Sequence, residues 1–241
     1  MRFLFVMVLI LSGTFTFAQQ MNQPKFTPPP TNESAETKLL IDKAQSLLET
    51  KRATTTDLLT DQTYMALHEY PRFRELVKKY AVTGKTAIVT ENEVGEALII
   101  SGTIKDKSGK PADGAVIYFY QTSALGWYSD KAYHISGMEG DHRHARLFGY
   151  LRTGKNGHYE FRTIKPSGYP GSELPAHIHL FVEAGTGAET HTLGSEIQFE
   201  DDLRLTPTMR ERSRQEGALI RPAKRDANGV LRVEADFTLQ R

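Results

Sequence analysis

The chain of 241 residues contains no cysteine. Disulfide bonds are therefore excluded, and any bound metal ion must be held by histidine, tyrosine or carboxylate side chains. A mature chain of about 220 residues can bury a core large enough to fold without disulfides. Lipid attachment at a cleavage-site cysteine is excluded as well.

The sequence also has little net charge, a formal +1 at pH 7. Lys and Arg together number 30 against 29 Asp and Glu, and removal of a leader containing Arg2 would leave 29 against 29. This balance gives no bulk attraction to nucleic acid or to an anionic membrane. Two motifs are missing: the Gly-x-Ser-x-Gly turn of many hydrolases and the glycine-rich loop that binds phosphate.

No apolar run in the sequence is long enough to span a membrane. The run from Phe3 to Leu11 follows a single positive charge and is too short for a transmembrane helix. Ala18 is a small residue at a suitable cleavage position before Gln19. Residues 1–18 are therefore predicted to be a signal peptide, and the protein is expected to be exported to the periplasm or the extracellular space.

The segment that follows the leader divides into a linker and a helical arm. Residues 19–33 are polar and include three consecutive prolines, which predicts a linker. Helical periodicity over residues 34–90 predicts helices at 35–50 and 71–80, with a break at 54–60. Their apolar stripes either cover the following domain, which we favour, or meet a partner subunit, which predicts a homodimer through the arm.

Residues 91–241 are predicted to form a mainly β domain. Short apolar or alternating segments recur at regular spacing between turn signals, a pattern typical of an antiparallel β-sandwich. The predicted strands cover residues 98–104, 115–120, 148–153, 158–164, 197–199 and 231–239, and an Asn-Gly turn joins the third and fourth.

The segment from residue 177 to residue 183 carries the clearest chemical signal. In a strand, residues two apart share a face, so His177 and His179 lie side by side, opposite an aliphatic face. Such a pair is half of a metal site, but alone it is more often ordinary polar lining. His142 and His144 repeat the spacing in a charged loop, where we expect them to be solvated or to support a site from behind.

Three segments, taken together, strengthen the interpretation of His177 and His179 as part of a metal site. They are Gly126-Trp127-Tyr128-Ser129, Pro166-Ser167-Gly168-Tyr169-Pro170 and Pro175-Ala176-His177-Ile178-His179. In this order they resemble the motifs of the intradiol ring-cleavage dioxygenases, the family of the catechol and protocatechuate enzymes. The resemblance covers roughly residues 97–240. No single segment is specific, but the ordered set is.

The resemblance implies a β-sandwich of the intradiol dioxygenase type that holds ferric iron, Fe(III), through Tyr128, Tyr169, His177 and His179. A small catechol would chelate the iron and displace the tyrosinate at position 169. Dioxygen would then be inserted between the two hydroxylated carbons to give a muconate-type diacid, a step in the breakdown of aromatic compounds. Phenolate is a hard anionic donor whose pKa a metal ion lowers, which explains the tyrosines.

One position departs from the family pattern. Leu174 stands three residues before the first histidine, where the family usually has an arginine beside the substrate. The loss of one such charge lowers a rate by about two or three orders of magnitude. Arg143, Arg146 and Arg162 are candidates to replace it, and Arg146 is predicted to take part in catalysis. The alternative function is a non-catalytic, dioxygenase-like secreted binding module.

A cupin-like metal site is a further alternative. Gly171, the two histidines and Glu183 fit the first half of the cupin pattern, and Glu183 shares the histidines' face. The second half of that pattern does not follow, and the two tyrosines would have no role.

Overall fold

A computed structural model describes residues 32–128, 145–185 and 191–239 of the chain. The predicted signal peptide, nearly all of the predicted linker, and His142, Arg143 and His144 lie outside these residues. Within the described residues, no helix is both long and apolar enough to cross a membrane.

The described helices lie mainly before the strands. They are α1 (Ala35–Glu49), α2 (Thr55–Thr60), α3 (Pro71–Lys79) and α4 (Pro207–Gln215), with short 3-10 turns at Gln62–Leu67 and Lys155–Gly157. The strands are β1 (Val82–Thr83), β2 (Lys85–Ala87), β3 (Ala97–Lys105), β4 (Val116–Gln121), β5 (Leu147–Arg152), β6 (His158–Ile164), β7 (His177–Ala184), β8 (His191–Phe199), β9 (Leu219–Arg221), β10 (Lys224–Arg225), β11 (Leu231–Glu234) and β12 (Phe237–Thr238).

The strands form two sheets. The first has the order β1-β5-β4-β7-β8-β9, and the second has the order β10-β11-β3-β6-β2, with β12 also paired to β3. The central neighbours β5-β4-β7-β8 and the pair β3-β6 are antiparallel. Strands β1, β2, β9 and β12 pair in parallel with their neighbours, and β11 is parallel to β3 but antiparallel to β10. The predicted β-sandwich is confirmed, but its two sheets are mixed rather than purely antiparallel.

The core lies between the two sheets. Alternate residues of β4 and β7 point into it, and Phe119 of β4 stacks on Phe161 of β6 with ring centroids 3.9 Å apart. Ile178, Leu180 and Val182 of β7 are all fully buried. The other face of β7 is therefore directed away from the core, toward the helices and loops that cover the first sheet.

The helical arm packs on the sandwich of its own chain. Ile41 of α1 is fully buried and belongs to one hydrophobic cluster with residues of both sheets. From α3, the Arg74 guanidinium lies 3.6 Å from the centre of the Phe148 ring and donates to the Tyr118 hydroxyl at 2.7 Å. The favoured interpretation of the arm as cover for the following domain is thus confirmed. The homodimer stays a prediction.

Two sequence expectations were wrong in detail. Residues 54–60 were expected to be a break, but Thr54 and Asp57 form a capping box that starts the short helix α2. The closing strand over 231–239 is divided into β11 and β12, because Tyr159 donates to the Ala235 carbonyl and the Thr103 backbone N–H donates to the Asp236 side chain.

Candidate metal centre

Strand β7 places both predicted histidines on the outer face of the first sheet. His177 is only 7% exposed, and His179 stacks on Tyr120 of β4 with ring centroids 4.4 Å apart. The alternation expected from the sequence is therefore confirmed. A rigid central strand, hydrogen-bonded on both sides, fixes the separation of the two imidazoles.

The two predicted tyrosines reach the histidines from separate loops that are fastened to each other. Tyr128 follows β4 and Tyr169 follows β6, and each is 4% exposed. Ser167, two residues before Tyr169, donates from its backbone N–H to the Ser123 carbonyl at 3.2 Å. The two phenols are thus brought to the site as one unit.

A glycine contact allows these loops to approach so closely. Gly126 has a φ angle of +81°, in the left-handed region that favours glycine. A Cβ atom at this position would overlap the carbonyl oxygen of Gly168. The glycines of the two tyrosine segments therefore have a physical role in placing Tyr128 and Tyr169.

Four side-chain atoms converge at one point. Tyr128 Oη lies 2.7 Å from Tyr169 Oη and 3.0 Å from His179 Nε2. His177 Nε2 lies 2.8 Å from Tyr169 Oη and 3.0 Å from His179 Nε2. Ligands of one metal ion with bonds of about 2 Å lie at similar separations. The chemistry and spacing of these donors fit a metal ion that prefers oxygen and nitrogen.

The protonation of two donors suits this role. His177 Nδ1 lies 2.8 Å from the Pro175 carbonyl, which accepts only if Nδ1 carries the proton, so Nε2 offers a lone pair. Burial, followed by the neighbouring Tyr169, raises the pKa of Tyr128 well above the ordinary value for tyrosine. Tyr128 is therefore neutral in the metal-free chain, and cation binding must release its proton.

A carboxylate that the sequence analysis did not single out joins the site. Glu196 of β8 lies directly opposite His179 in the ladder, and with His177 and His179 it forms a group whose ligand atoms lie within 4.8 Å of one another. The alternation of residues in β8 places Glu196 on one face of that strand. The sequence did not reveal the register between β7 and β8, which brings Glu196 opposite His179. Glu183, the carboxylate of the cupin-like alternative, instead pairs with Lys78 at 3.8 Å.

A cavity of about 240 Å³ opens onto the site. Tyr169, His177 and His179 form one wall, together with Leu174. Helix α4 supplies part of the opposite wall through Met209, Arg212, Ser213 and Glu216. This helix was not predicted, because it is polar around most of its circumference and buries only Ser213, although Thr206 before Pro207 is a recognisable helix start.

Arg146, which is predicted to take part in catalysis, is paired with a carboxylate in the structure. Its guanidinium donates to both carboxylate oxygens of Glu93 at 2.7 Å, and Arg146 does not line the cavity. Its backbone N–H donates to the Tyr128 carbonyl at 2.7 Å, so it braces the loop of that tyrosine. Arg162 is exposed on β6 of the other sheet, and Arg143 lies outside the described residues.

Comparison with known families points to one family. The Dioxygenase_C family model, described as dioxygenase, matches residues 69–240, which are 172 of the 241 residues. Catechol 1,2-dioxygenase 1 of Acinetobacter lwoffii is 28% identical over 165 residues, 61% of this chain and 50% of that protein. The protocatechuate 3,4-dioxygenase beta chain of Burkholderia cepacia is 31% identical over 102 residues, 40% of this chain and 42% of that one. The matches thus span about half of these relatives.

Solved structures agree on the fold. Catechol 1,2-dioxygenase from Acinetobacter sp. ADP1 has a TM-score of 0.51 and 22% identity, covering 67% of this chain and 58% of that one. The enzyme of the same name from Pseudomonas arvilla C-1 has a TM-score of 0.50 and 23% identity, covering 66% of this chain and 57% of that one. At such identities the likeness concerns the fold alone.

Proposed function

The chain belongs to the intradiol dioxygenase family, and we propose that it is a non-haem ferric iron dioxygenase. Its substrate would be a small catechol, cleaved between the two hydroxylated carbons to a muconate-type diacid. The observation that carries the proposal is the convergence of two phenol oxygens and two imidazole nitrogens beside a cavity, with neighbouring atoms 2.7–3.0 Å apart.

Ferric iron, when bound, would accept the two oxygens of a catechol and make its ring reactive toward dioxygen. Tyr128, Tyr169, His177 and His179 would hold it, as the resemblance to the family implies. Both hydroxyl groups of the catechol must lose their protons. Tyr169, which contributes to the cavity wall, would take up one of them on its phenolate oxygen, and a displaced hydroxide would take up the other.

The size of the cavity and its wall at Leu174 support a small substrate without a ring carboxylate. Its volume of about 240 Å³ lies below the range of roughly 300–1,000 Å³ common for drug-sized ligands, which suits a single ring. Leu174 presents an apolar surface next to the predicted ligands. We therefore expect unsubstituted or alkyl catechols to be preferred over protocatechuate, whose carboxylate would lose its water against Leu174.

The alternative, a non-catalytic secreted binding module, has one observation in its favour. Leu174 leaves that wall of the cavity without a cation, and Arg212 on the facing helix forms an ion pair with Glu216 at 2.8 Å. A site built in this way could hold a catechol on iron without stabilising the charge that develops during ring cleavage.

The two functions are distinguished by following oxygen and product together. Iron-loaded protein is mixed with catechol, and oxygen uptake is recorded alongside the ultraviolet absorbance of muconate. The dioxygenase proposal requires consumption of equal amounts of oxygen and catechol, and loss of both signals in Tyr169→Phe. A catechol-induced change of the visible spectrum without oxygen uptake would instead support the binding module.

A further inference from the structure

Glu196 has no role in the proposed reaction, yet it lies beside the predicted ligands. It is the direct cross-strand partner of His179. Its Oε1 lies 3.4 Å from His179 Nδ1 and 3.9 Å from His177 Nε2. The side chain is 35% exposed and borders the cavity, so it combines a fixed position with access to the open side of the site.

A second residue of β8 holds this carboxylate in place. Gln198 lies opposite His177 in the ladder and is 5% exposed. Its Nε2 donates to Glu196 Oε2 at 3.2 Å, leaving Oε1 of Glu196 directed at His179. Within the described part of the chain, Gln198 Oε1 has no hydrogen-bond partner although it is buried. Burial of an amide oxygen without a hydrogen-bond partner costs free energy. Its presence here indicates that the position serves the polar site beside it.

The orientation of the His179 ring explains what the carboxylate does. Nε2 faces Tyr128 Oη and His177 Nε2, each 3.0 Å away, so this nitrogen belongs to the four converging donors. It can offer a lone pair to a metal ion only if the ring proton resides on Nδ1. An anionic acceptor on the Nδ1 side favours that tautomer and makes the ring a stronger donor.

The two histidines are therefore supported differently. His177 Nδ1 lies 2.8 Å from the neutral carbonyl of Pro175, whereas His179 Nδ1 faces the carboxylate of Glu196. A carboxylate also adds a negative charge beside the two phenols, which favours a trivalent over a divalent ion in the same donor set.

We propose that Glu196 is a positioning residue of the metal centre, which fixes His179 with Nε2 toward the two phenols and is itself held by Gln198. The inference rests on the proposed function for the identity of the metal. The orientation of His179 can be tested without any metal.

The first measurement therefore uses the metal-free protein. Long-range ¹H–¹⁵N NMR at pH 7.5 reports which ring nitrogen of each histidine carries the proton. We expect the Nδ1–H tautomer for His179 in the natural chain and a mixture of tautomers in Glu196→Gln. An Nε2–H tautomer for His179 in the natural chain would overturn the inference, whatever the variants do.

The second measurement uses Fe(III), and Glu200→Gln serves as the matched control. Glu200 follows β8, is exposed, and lies 3.7 Å from Arg210 in an ion pair away from the cavity. We expect Glu196→Gln to bind iron about 10- to 100-fold more weakly. The phenolate-to-iron band should move to longer wavelength, because a weaker His179 donor leaves the iron poorer in electrons. Glu196→Asp should recover part of the iron affinity and part of the band position. Glu200→Gln should match the natural chain in both.

Failure of this inference is distinguishable from failure of the proposed function. If the natural chain and Glu196→Gln bind iron equally well with the same visible band, the dioxygenase proposal stands and the role of Glu196 is refuted. If the natural chain has the Nδ1–H tautomer, loses it in Glu196→Gln and yet takes up no iron, the dioxygenase proposal falls. The positioning of His179 by Glu196 would then still stand.

Discussion

Replacement of His68 by phenylalanine should flatten the dependence of stability on pH below neutrality. His68 is 1% exposed and lies between aromatic rings, with centroids 5.6 Å from Phe73 and 5.4 Å from Phe148. Its Nδ1 lies 2.7 Å from the Arg146 carbonyl, the acceptor of an Nδ1–H bond in the neutral ring. Because Arg146 is also bonded to the backbone of Tyr128, His68 supports the segment that leads to the candidate metal centre.

Burial, the largest cause, lowers the pKa of His68 to about 4. In the unfolded chain the ordinary pKa is about 6.5. As the pH falls below that value, the unfolded chain binds this proton first, so the folded state loses stability progressively down to about pH 4. Each tenfold change in proton affinity is worth about 1.4 kcal/mol, which gives a loss of about 3 kcal/mol across this window.

The assay is urea unfolding of the metal-free protein at several pH values between 7.5 and 4. His68→Phe should be less stable than the natural chain by about 1 kcal/mol at pH 7.5, through loss of one hydrogen bond. The free-energy difference between the two should then change by about 3 kcal/mol in favour of the variant as the pH falls. His158→Phe, at an exposed position of β6, is the control and should run parallel to the natural chain. Parallel curves for His68→Phe as well would refute the reasoning.

Three further predictions follow from the loops, the cavity and the chain start. Gly126→Ala should cost more stability than Gly109→Ala by about 1–3 kcal/mol and should weaken iron binding, because both glycines have positive φ but only the former would overlap a neighbouring carbonyl; equal losses in thermal unfolding would contradict this. Leu174→Arg should raise ring-cleavage rates toward catechol with little change in its binding and should improve relative activity toward protocatechuate; an unchanged or abolished rate would contradict this and would indicate that another residue fills the role or that the pocket is shaped for a different ligand. The exported form should begin near Gln19 by mass spectrometry of a periplasmic fraction, and protein retaining Met1 in the cytoplasm would contradict export.

The parts of the site that depend on local patterns were predictable. Strict alternation around His177 and His179 fixes which face they share, whatever the neighbouring strands do. Tyr128 and Tyr169 were identified through the resemblance of their segments to the motifs of the intradiol ring-cleavage dioxygenases. In the structure these loops meet where Gly126 faces Gly168.

The remaining parts depend on partners distant in sequence. Glu196 was missed because its position beside His179 depends on the register between β7 and β8, which alternation alone does not fix. The ion pair of Arg146 with Glu93, 53 residues away, could not be predicted from the sequence either. Helix α4 gave little periodic signal because only Ser213 of it is buried.

The iron content and visible spectrum of the purified protein after loading with Fe(III) show whether two tyrosines and two histidines hold ferric iron. We expect about one iron per chain and a broad red-brown phenolate-to-iron band. Both should be reduced severely in His179→Ala, because removal of one ligand from a preorganised set is seldom tolerated. A natural chain that folds but stays colourless and free of iron after loading would contradict this expectation.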